Sequence, residues 1–388
     1  MEPAGARQSS LRASNLGLVL RTVCAAAQPI SRADVASALG MSRATASRLV
    51  DELVAGGLLD QGERLAPPRR GRPATPLLPG SGFAALGLQV DAGLLAARVI
   101  DLRGRIVAER VEDGDFRTSD PAATLARLAA LVADLGLPST LRLVGTGLAL
   151  PGIVDGDLLL RAPNLGWSDE RPAEHLPGLD PVLGNEADLA ARTVAEVAPG
   201  RPGPHRDFVY LSGQIGVGGA AVLGGRVMTG RDGWAGEMGH VCVDPDGPAC
   251  RCGSTGCLEQ YAGRHALLTA AGLPLDADPR ELAARVAEGD EAARAAVDRA
   301  AWALGVALAG VVNVLDIPTV VLGGSLGELA DLLGPRVEEH LARRVLSARW
   351  RKPTIEPADN APAAGATGAA LRALGDVLAD PGRWLAVA

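Results

Sequence analysis

His240, Cys250, Cys252 and Cys257 stand close enough along the chain to wrap one metal ion. Three thiolates and an imidazole make a Cys3His tetrahedron, a ligand set that suits zinc, with the thiolates carrying most of the compensating charge. Gly247, Gly253 and Gly256, with Pro245 and Pro248, supply the tight turns such a knot needs. Four protein ligands leave no position for water, so the expected zinc is structural and not hydrolytic. Cys242 is left over, and the alternative is a set of free thiols. A second cluster is of another kind. Ser42, Arg43, Thr45, Ser47 and Arg48 put guanidinium groups and short hydroxyls on one segment. Arginine bonds guanine bidentately, and hydroxyls reach phosphates or bases. Arg69, Arg70 and Arg72 follow in the run Arg69-Arg70-Gly71-Arg72-Pro73, an extended basic arm suited to the negative potential of a narrow minor groove.

The elements that must carry these groups follow from periodicity and capping. Leu16, Val19, Leu20 and Val23 share one face of a helix over 15–27, which also holds Cys24 as packing. Ser31 caps a short helix over 32–39, Gly40 breaks it, and Ser42 caps a helix over 43–55 striped by Leu49, Val50, Leu53 and Val54. Helix, tight glycine turn and helix is the geometry that lays a second helix in the major groove. The alternative is a small helical interaction domain with solvated arginines. Leu58-Leu59 and Leu65 suggest two short strands of a wing, and the prolines after them a stiff basic linker. The expected division is a winged helix-turn-helix over 1–65, a wing or linker over 66–80, and an α/β body over 81–388. In the body, strands are expected at 84–90, 95–101, 105–111, 143–149, 207–212, 217–223 and 318–322. Helices are expected at 121–135, 186–197, 258–271, 279–286, 290–313, 326–346 and 362–379, so sheets covered by helices follow.

Charge divides the same way. Residues 1–80 hold ten arginines against six acids, and the rest hold 28 basic against 39 acidic residues. A basic head on an acidic body implies that only the head meets a polyanion. No signal-peptide pattern and no 18-residue apolar run is read, so a cytoplasmic protein without a membrane partner is expected. Five cysteines in such a chain argue for thiols or a metal site and not disulfides.

The body resembles the ROK family of repressors, open reading frames and kinases. The resemblance rests on Gly233-Trp234-Ala235-Gly236-Glu237-Met238-Gly239-His240 and on Cys250-Arg251-Cys252-Gly253-Ser254-Thr255-Gly256-Cys257-Leu258-Glu259. Pro151-Gly152-Ile153-Val154-Asp155, Ala162-Pro163-Asn164-Leu165-Gly166-Trp167, Gly216-Val217-Gly218-Gly219, Val321-Leu322-Gly323-Gly324-Ser325 and Gly365-Ala366-Thr367-Gly368-Ala369-Ala370 extend it over roughly 81–380. The winged head is similar to the family's repressor branch, which includes xylose and N-acetylglucosamine repressors. The resemblance implies an actin-like, sugar-kinase-like fold of two lobes: about 81–185 with a C-terminal helix at about 361–380, and about 186–360 with the zinc knot. It implies a sugar in the cleft held by Asn185, Glu186, Glu237, His240 and Glu259, with Asn164 on the sugar-side loop, and His240 dividing its ring nitrogens between zinc and sugar. Helix capping beside the knot is the alternative role for Glu237 and Glu259.

Two departures from the family's kinases point away from catalysis. Those kinases carry an Asp-x-Gly-Gly-Thr phosphate turn, where this chain has Asp91-Ala92-Gly93-Leu94-Leu95. Without the glycine pair, backbone N–H groups cannot approach phosphate closely. The kinases carry Asn-Asp with the aspartate as base, where this chain has Asn185-Glu186, and displacement of a base by about 1 Å costs on the order of 100-fold. No catalytic residue is therefore expected. A single winged helix also makes a small interface, so a homodimer or tetramer on a palindromic double-stranded operator is expected. The alternatives are a sugar kinase bearing a DNA-binding head and a regulator controlled by a protein partner instead of a sugar.

Overall fold

The structure, a computed structural model, describes residues 4–63, 75–359 and 362–385, with the side chains of 4–10 left aside. Arg69, Arg70 and Arg72 lie outside the described residues.

The head opens with a long arm helix, Ala4–Ala25. Arg32–Ala38 and the recognition helix Arg43–Ala55 follow. Ser31 and Ser42 cap these two: Asp34 N donates to Ser31 Oγ at 3.3 Å and Thr45 N donates to Ser42 Oγ at 3.1 Å. Gly40 turns between them at φ +61°, a conformation that side-chain-bearing residues rarely adopt. Leu59–Gln61 pairs antiparallel with Leu77–Pro79 to make the wing. The second wing strand thus falls in the stretch expected to be linker: the prolines sit at its edge, where a missing donor costs nothing.

The first sheet of the body runs Val182–Asn185, Arg142–Leu150, Phe83–Val90, Leu94–Asp101, Ile106–Asp113, the first three parallel and the rest antiparallel. Every residue of Phe83–Val90 is buried, as expected of a strand covered on both faces. A closing helix, Ala364–Ala379, lies against it. The approach is so close that a methyl group on Gly87 would sit 1.8 Å from Ala366 O. The sequence reading omits a small antiparallel sheet, Ile153–Asp155, Leu158–Ala162 and Trp167–Glu170, whose short polar strands carry little apolar alternation.

The second sheet runs Arg226–Val227, Val217–Leu223, Phe208–Gly213, Thr319–Gly323, Thr354–Pro357. Glu291–Leu315 packs in the core of this lobe. It is long and apolar enough to cross a membrane, contrary to the sequence expectation, and its alanine-rich length is accounted for by burial against the sheet and neighbouring helices.

Head and body share one core. Leu16, Val19, Leu20 and Val23 of the arm helix and Leu49, Val50 and Leu53 of the recognition helix pack with Phe83, Ile100, Leu374 and Val377. Arg21 Nη1 donates to Leu378 O at 2.7 Å, tying the arm to the end of the closing helix. The head is thus seated on the first lobe and not merely tethered to it by a linker.

Candidate functional site

The knot assembles as its spacing suggests. The ligand atoms of His240, Cys250, Cys252 and Cys257 lie within 4.8 Å of one another. Cys250 Sγ is 3.8 Å from His240 Nδ1, and Cys252 Sγ is 3.6 Å from Cys257 Sγ. Tetrahedral zinc with bonds of about 2.0–2.3 Å separates its ligands by similar amounts, so the four residues fit that ion. Cys242 is exposed and stands outside the group.

Asn164, Asn185, Glu186, Glu237, His240 and Glu259 all line one cavity between the two lobes. Asn185 ends the last strand of the first sheet and caps the cleft helix Glu186–Ala195, accepting from Ala187 N at 2.8 Å. Its amide donates to Gly152 O at 2.9 Å and reaches Glu237 Oε1 at 3.5 Å. His240 points Nε2 at Glu237 Oε2, 3.9 Å away, while Nδ1 faces the knot. The ring can therefore serve metal and cavity from opposite edges. Glu259, only 8% exposed, takes a bond from Asn164 Nδ2 at 3.3 Å and one from Val217 N at 3.4 Å, and its other oxygen faces Cys250 Sγ at 3.7 Å. Burial, reinforced by Glu259 and partly offset by His240, raises the Glu237 carboxyl above its usual range. Carboxylates, an amide and an imidazole around a small cavity suit a ligand made of hydroxyl groups.

The other wall of the cleft is built differently. Asp91 Oδ1 accepts from Gly93 N at 2.9 Å, so the turn spends that N–H on its own aspartate. Gln89 Nε2 donates to Glu186 Oε1 at 3.0 Å, and Gln89 Oε1 accepts from Ala366 N at 3.0 Å. Burial and the facing Asp91 push Glu186 well up, and burial raises Asp91, so the pair retains a proton far above the normal carboxylate range. Beyond Glu186 lies a further cavity of about 600 Å³, bordered by Leu94, Ser212, Gln214 and Ser325, through which a phosphate donor would have to reach the cleft.

On the head, Arg43 and Arg48 are exposed. Ser42 and Thr45 share a 2.9 Å hydroxyl contact at the helix start. Ser47 O accepts from Arg32 Nη1 at 3.3 Å, and Arg32 pairs with Asp51 at 2.6 Å.

Sequence reasoning missed Gln89, Asp188 and Arg372. Asp188 lies one turn into the cleft helix, its carboxyl raised to about 7 by burial and Glu237, with Arg372 opposing. The pairing Asn185-x-x-Asp188 was a usable signal, because positions three apart share a helix face.

Residues 86–375 match the model of the ROK family, and residues 18–72 match that of the MarR family. N-acetylmannosamine kinase from Shigella boydii serotype 18 is 34% identical over 76% of this chain and 100% of its own length. The crystal structure of a ROK family transcriptional regulator, a homolog of the E. coli MLC protein, superposes with TM-score 0.77 at 25% identity, covering 97% of this chain and 99% of that one. A ROK family glucokinase from Streptomyces griseus, solved with glucose and AMPPNP, superposes with TM-score 0.64 at 26% identity over 74% of this chain and 98% of its own.

Proposed function

The chain belongs to the ROK family, and from that premise we propose that it is a sugar-responsive DNA-binding regulator, a repressor of carbohydrate uptake or catabolism genes. The observation that carries this reading is the union of two features. Six hydroxyl-seeking side chains converge on one cavity, and the helix behind that cavity is packed into the same core as the DNA-reading head. Relatives in this family include both kinases and regulators, and the winged head with its regulator-like superposition favours the regulator.

Sugar hydroxyls would bond Asn164, Asn185, Glu186, Glu237, His240 and Glu259. His240, Cys250, Cys252 and Cys257 would hold zinc, which supplies no chemistry and fixes the imidazole and the turn that carries Glu259. From the cavity the route to DNA is short. Glu186 is bonded to Gln89, and Gln89 to Ala366 at the start of the closing helix. The far end of that helix receives Arg21 of the arm. A sugar that favours one lobe closure over another would therefore shift the seat of the head. Ser42, Arg43, Thr45, Ser47 and Arg48 would read the major groove, with Arg69, Arg70 and Arg72 in the minor groove. Two copies would span a palindromic operator in the cytoplasm. Val314, Leu346 and Trp350 are exposed around the junction where Asn313 Nδ2 donates to Arg344 O, and they offer an apolar surface for that pairing.

Fluorescence anisotropy on an operator found by in vitro selection tests this, with and without a sugar panel. A sugar that binds should shift operator affinity about 5- to 150-fold. Sugar binding with unmoved operator affinity would overturn the switch.

A second reading, a sugar kinase with a DNA-binding head, is favoured by the N-acetylmannosamine kinase similarity and by the cavity beside Glu186. Incubation with ATP and N-acetylmannosamine separates the two: sustained phosphate transfer selects the kinase.

A further inference from the structure

Behind the first cavity lies a second of about 620 Å³. The two share Gly152, Asn185 and Glu237 as a common wall, so a ligand in one borders the other. Small-ligand sites run to about 300–1,000 Å³, and a lone monosaccharide at the six-residue site would leave this volume to water.

Its lining is not that of a solvent gap. Trp234 stands on its rim, 42% exposed, on the loop that leads into Glu237. An exposed indole presents a flat apolar face with a donor at its edge, which suits the C–H face of a pyranose ring. Asp188 lines the cavity with its Oδ1 buried and without a hydrogen-bond partner among the described residues. A buried oxygen left unpaired is costly, and a hydroxyl donor from a ligand removes that cost. Arg372 faces the same space and spends one N–H on Leu183 O at 2.8 Å. Arg192 is matched by Glu196 at 3.0 Å. With Asp188, Asp232 and Glu237 around them, these arginines do not make an anion site, which weighs against sugar phosphates.

We propose that this cavity is a second sugar subsite, so that the effector is a neutral disaccharide or substituted glycoside with one ring at Asn185, Glu237 and His240 and the other against Trp234, Asp188 and Arg372. This rests on the reading of the first cavity as a sugar site. It also gives the ligand a direct hold on the closing helix, because Arg372 belongs to that helix and the head is packed on its end.

Calorimetry on the full chain tests it with two matched panels. Glucose, xylose and N-acetylglucosamine are compared with cellobiose, maltose, xylobiose and diacetylchitobiose. One disaccharide should bind at least 10-fold more tightly than its own monosaccharide. Trp234→Ala, at an exposed position that folding does not require, should remove most of that advantage and leave the monosaccharide Kd unchanged, and Asp188→Asn should do so in part. A monosaccharide that binds as tightly as every disaccharide would overturn the subsite and spare the first cavity. Equal weakening of both classes by Trp234→Ala would do the same. Absence of binding by either panel would instead remove the sugar reading itself, and the subsite with it.

Discussion

Two turns face the cleft from opposite lobes, and they have been treated differently. The turn from Gly236 to Glu259 keeps every group it needs: a metal knot, an imidazole with one edge toward the cavity, and two carboxylates aimed inward. The turn from Val90 to Leu95 has closed on itself. Its aspartate takes the Gly93 N–H, Leu94 stands at the mouth of the cavity a phosphate donor would use, and Glu186 opposite is held in its protonated form. A base must be free to accept a proton, and a phosphate cradle must present its N–H groups outward. The binding half is furnished and the transfer half is shut, which is what a sensor derived from a kinase-like scaffold requires.

The strongest way to break this contrast is to dismantle the furnished half. Cys257→Ser should release the zinc knot and, with it, the orientation of His240 and Glu259. Sugar affinity should fall by about 100-fold, the upper end of what loss of a metal site's supporting groups costs. Titration calorimetry on the purified variant reads this directly; unchanged affinity would mean that the knot is remote from sugar binding. A second test acts on the head. Arg43→Ala should cost about 1–3 kcal/mol against the preferred operator while leaving nonspecific binding nearly as before. Equal losses on both DNAs, measured by anisotropy, would move Arg43 from base reading to phosphate contact.

The coupling between the halves is the next target. Arg21→Ala removes the bond from the arm helix to Leu378 O without touching either binding surface. Sugar Kd and bare operator Kd should stay close to wild type, while the sugar-induced shift in operator affinity shrinks several-fold. A full shift in this variant would return the signal to the proline-rich connection between head and body.

How much of this could be seen in the sequence depends on chain separation. The knot, the recognition helix and Asn185-Glu186 are local patterns, and capping serines and spaced cysteines carry them. The main strands and helices of the body were legible for the same reason, as apolar runs of the right length. The wing strand Leu77–Pro79 was hidden by its prolines. Gln89 joins Glu186 across 97 residues and Ala366 across 277. No periodicity reports such contacts, so the closing helix read as an ordinary apolar helix and its part in seating the head was invisible. Burial hid the chemistry of Asp91 in the same manner, since a carboxylate's proton affinity is set by neighbours that only the fold supplies.

The smallest effect concerns two carboxylates that differ in what they face. Asp91 is occupied by its own turn, whereas Asp188 keeps one oxygen unpaired toward a cavity. Its carboxyl sits at about 7 in the folded chain against an ordinary value of 3.8. Between these values the folded state holds a proton that the unfolded state has lost. Stability therefore falls as pH rises through that window, and the whole penalty is present above about 7. Asp188→Asn has no charge to bury. In thermal denaturation without ligand it should melt a few degrees above wild type at pH 8, and the two curves should converge as pH falls toward 4. A difference that stays constant with pH would assign the effect to packing. A wild type that is already the more stable at pH 8 would mean that Arg372 compensates the Asp188 charge, and the contrast with Asp91 would then lie in pairing instead of exposure to the cavity.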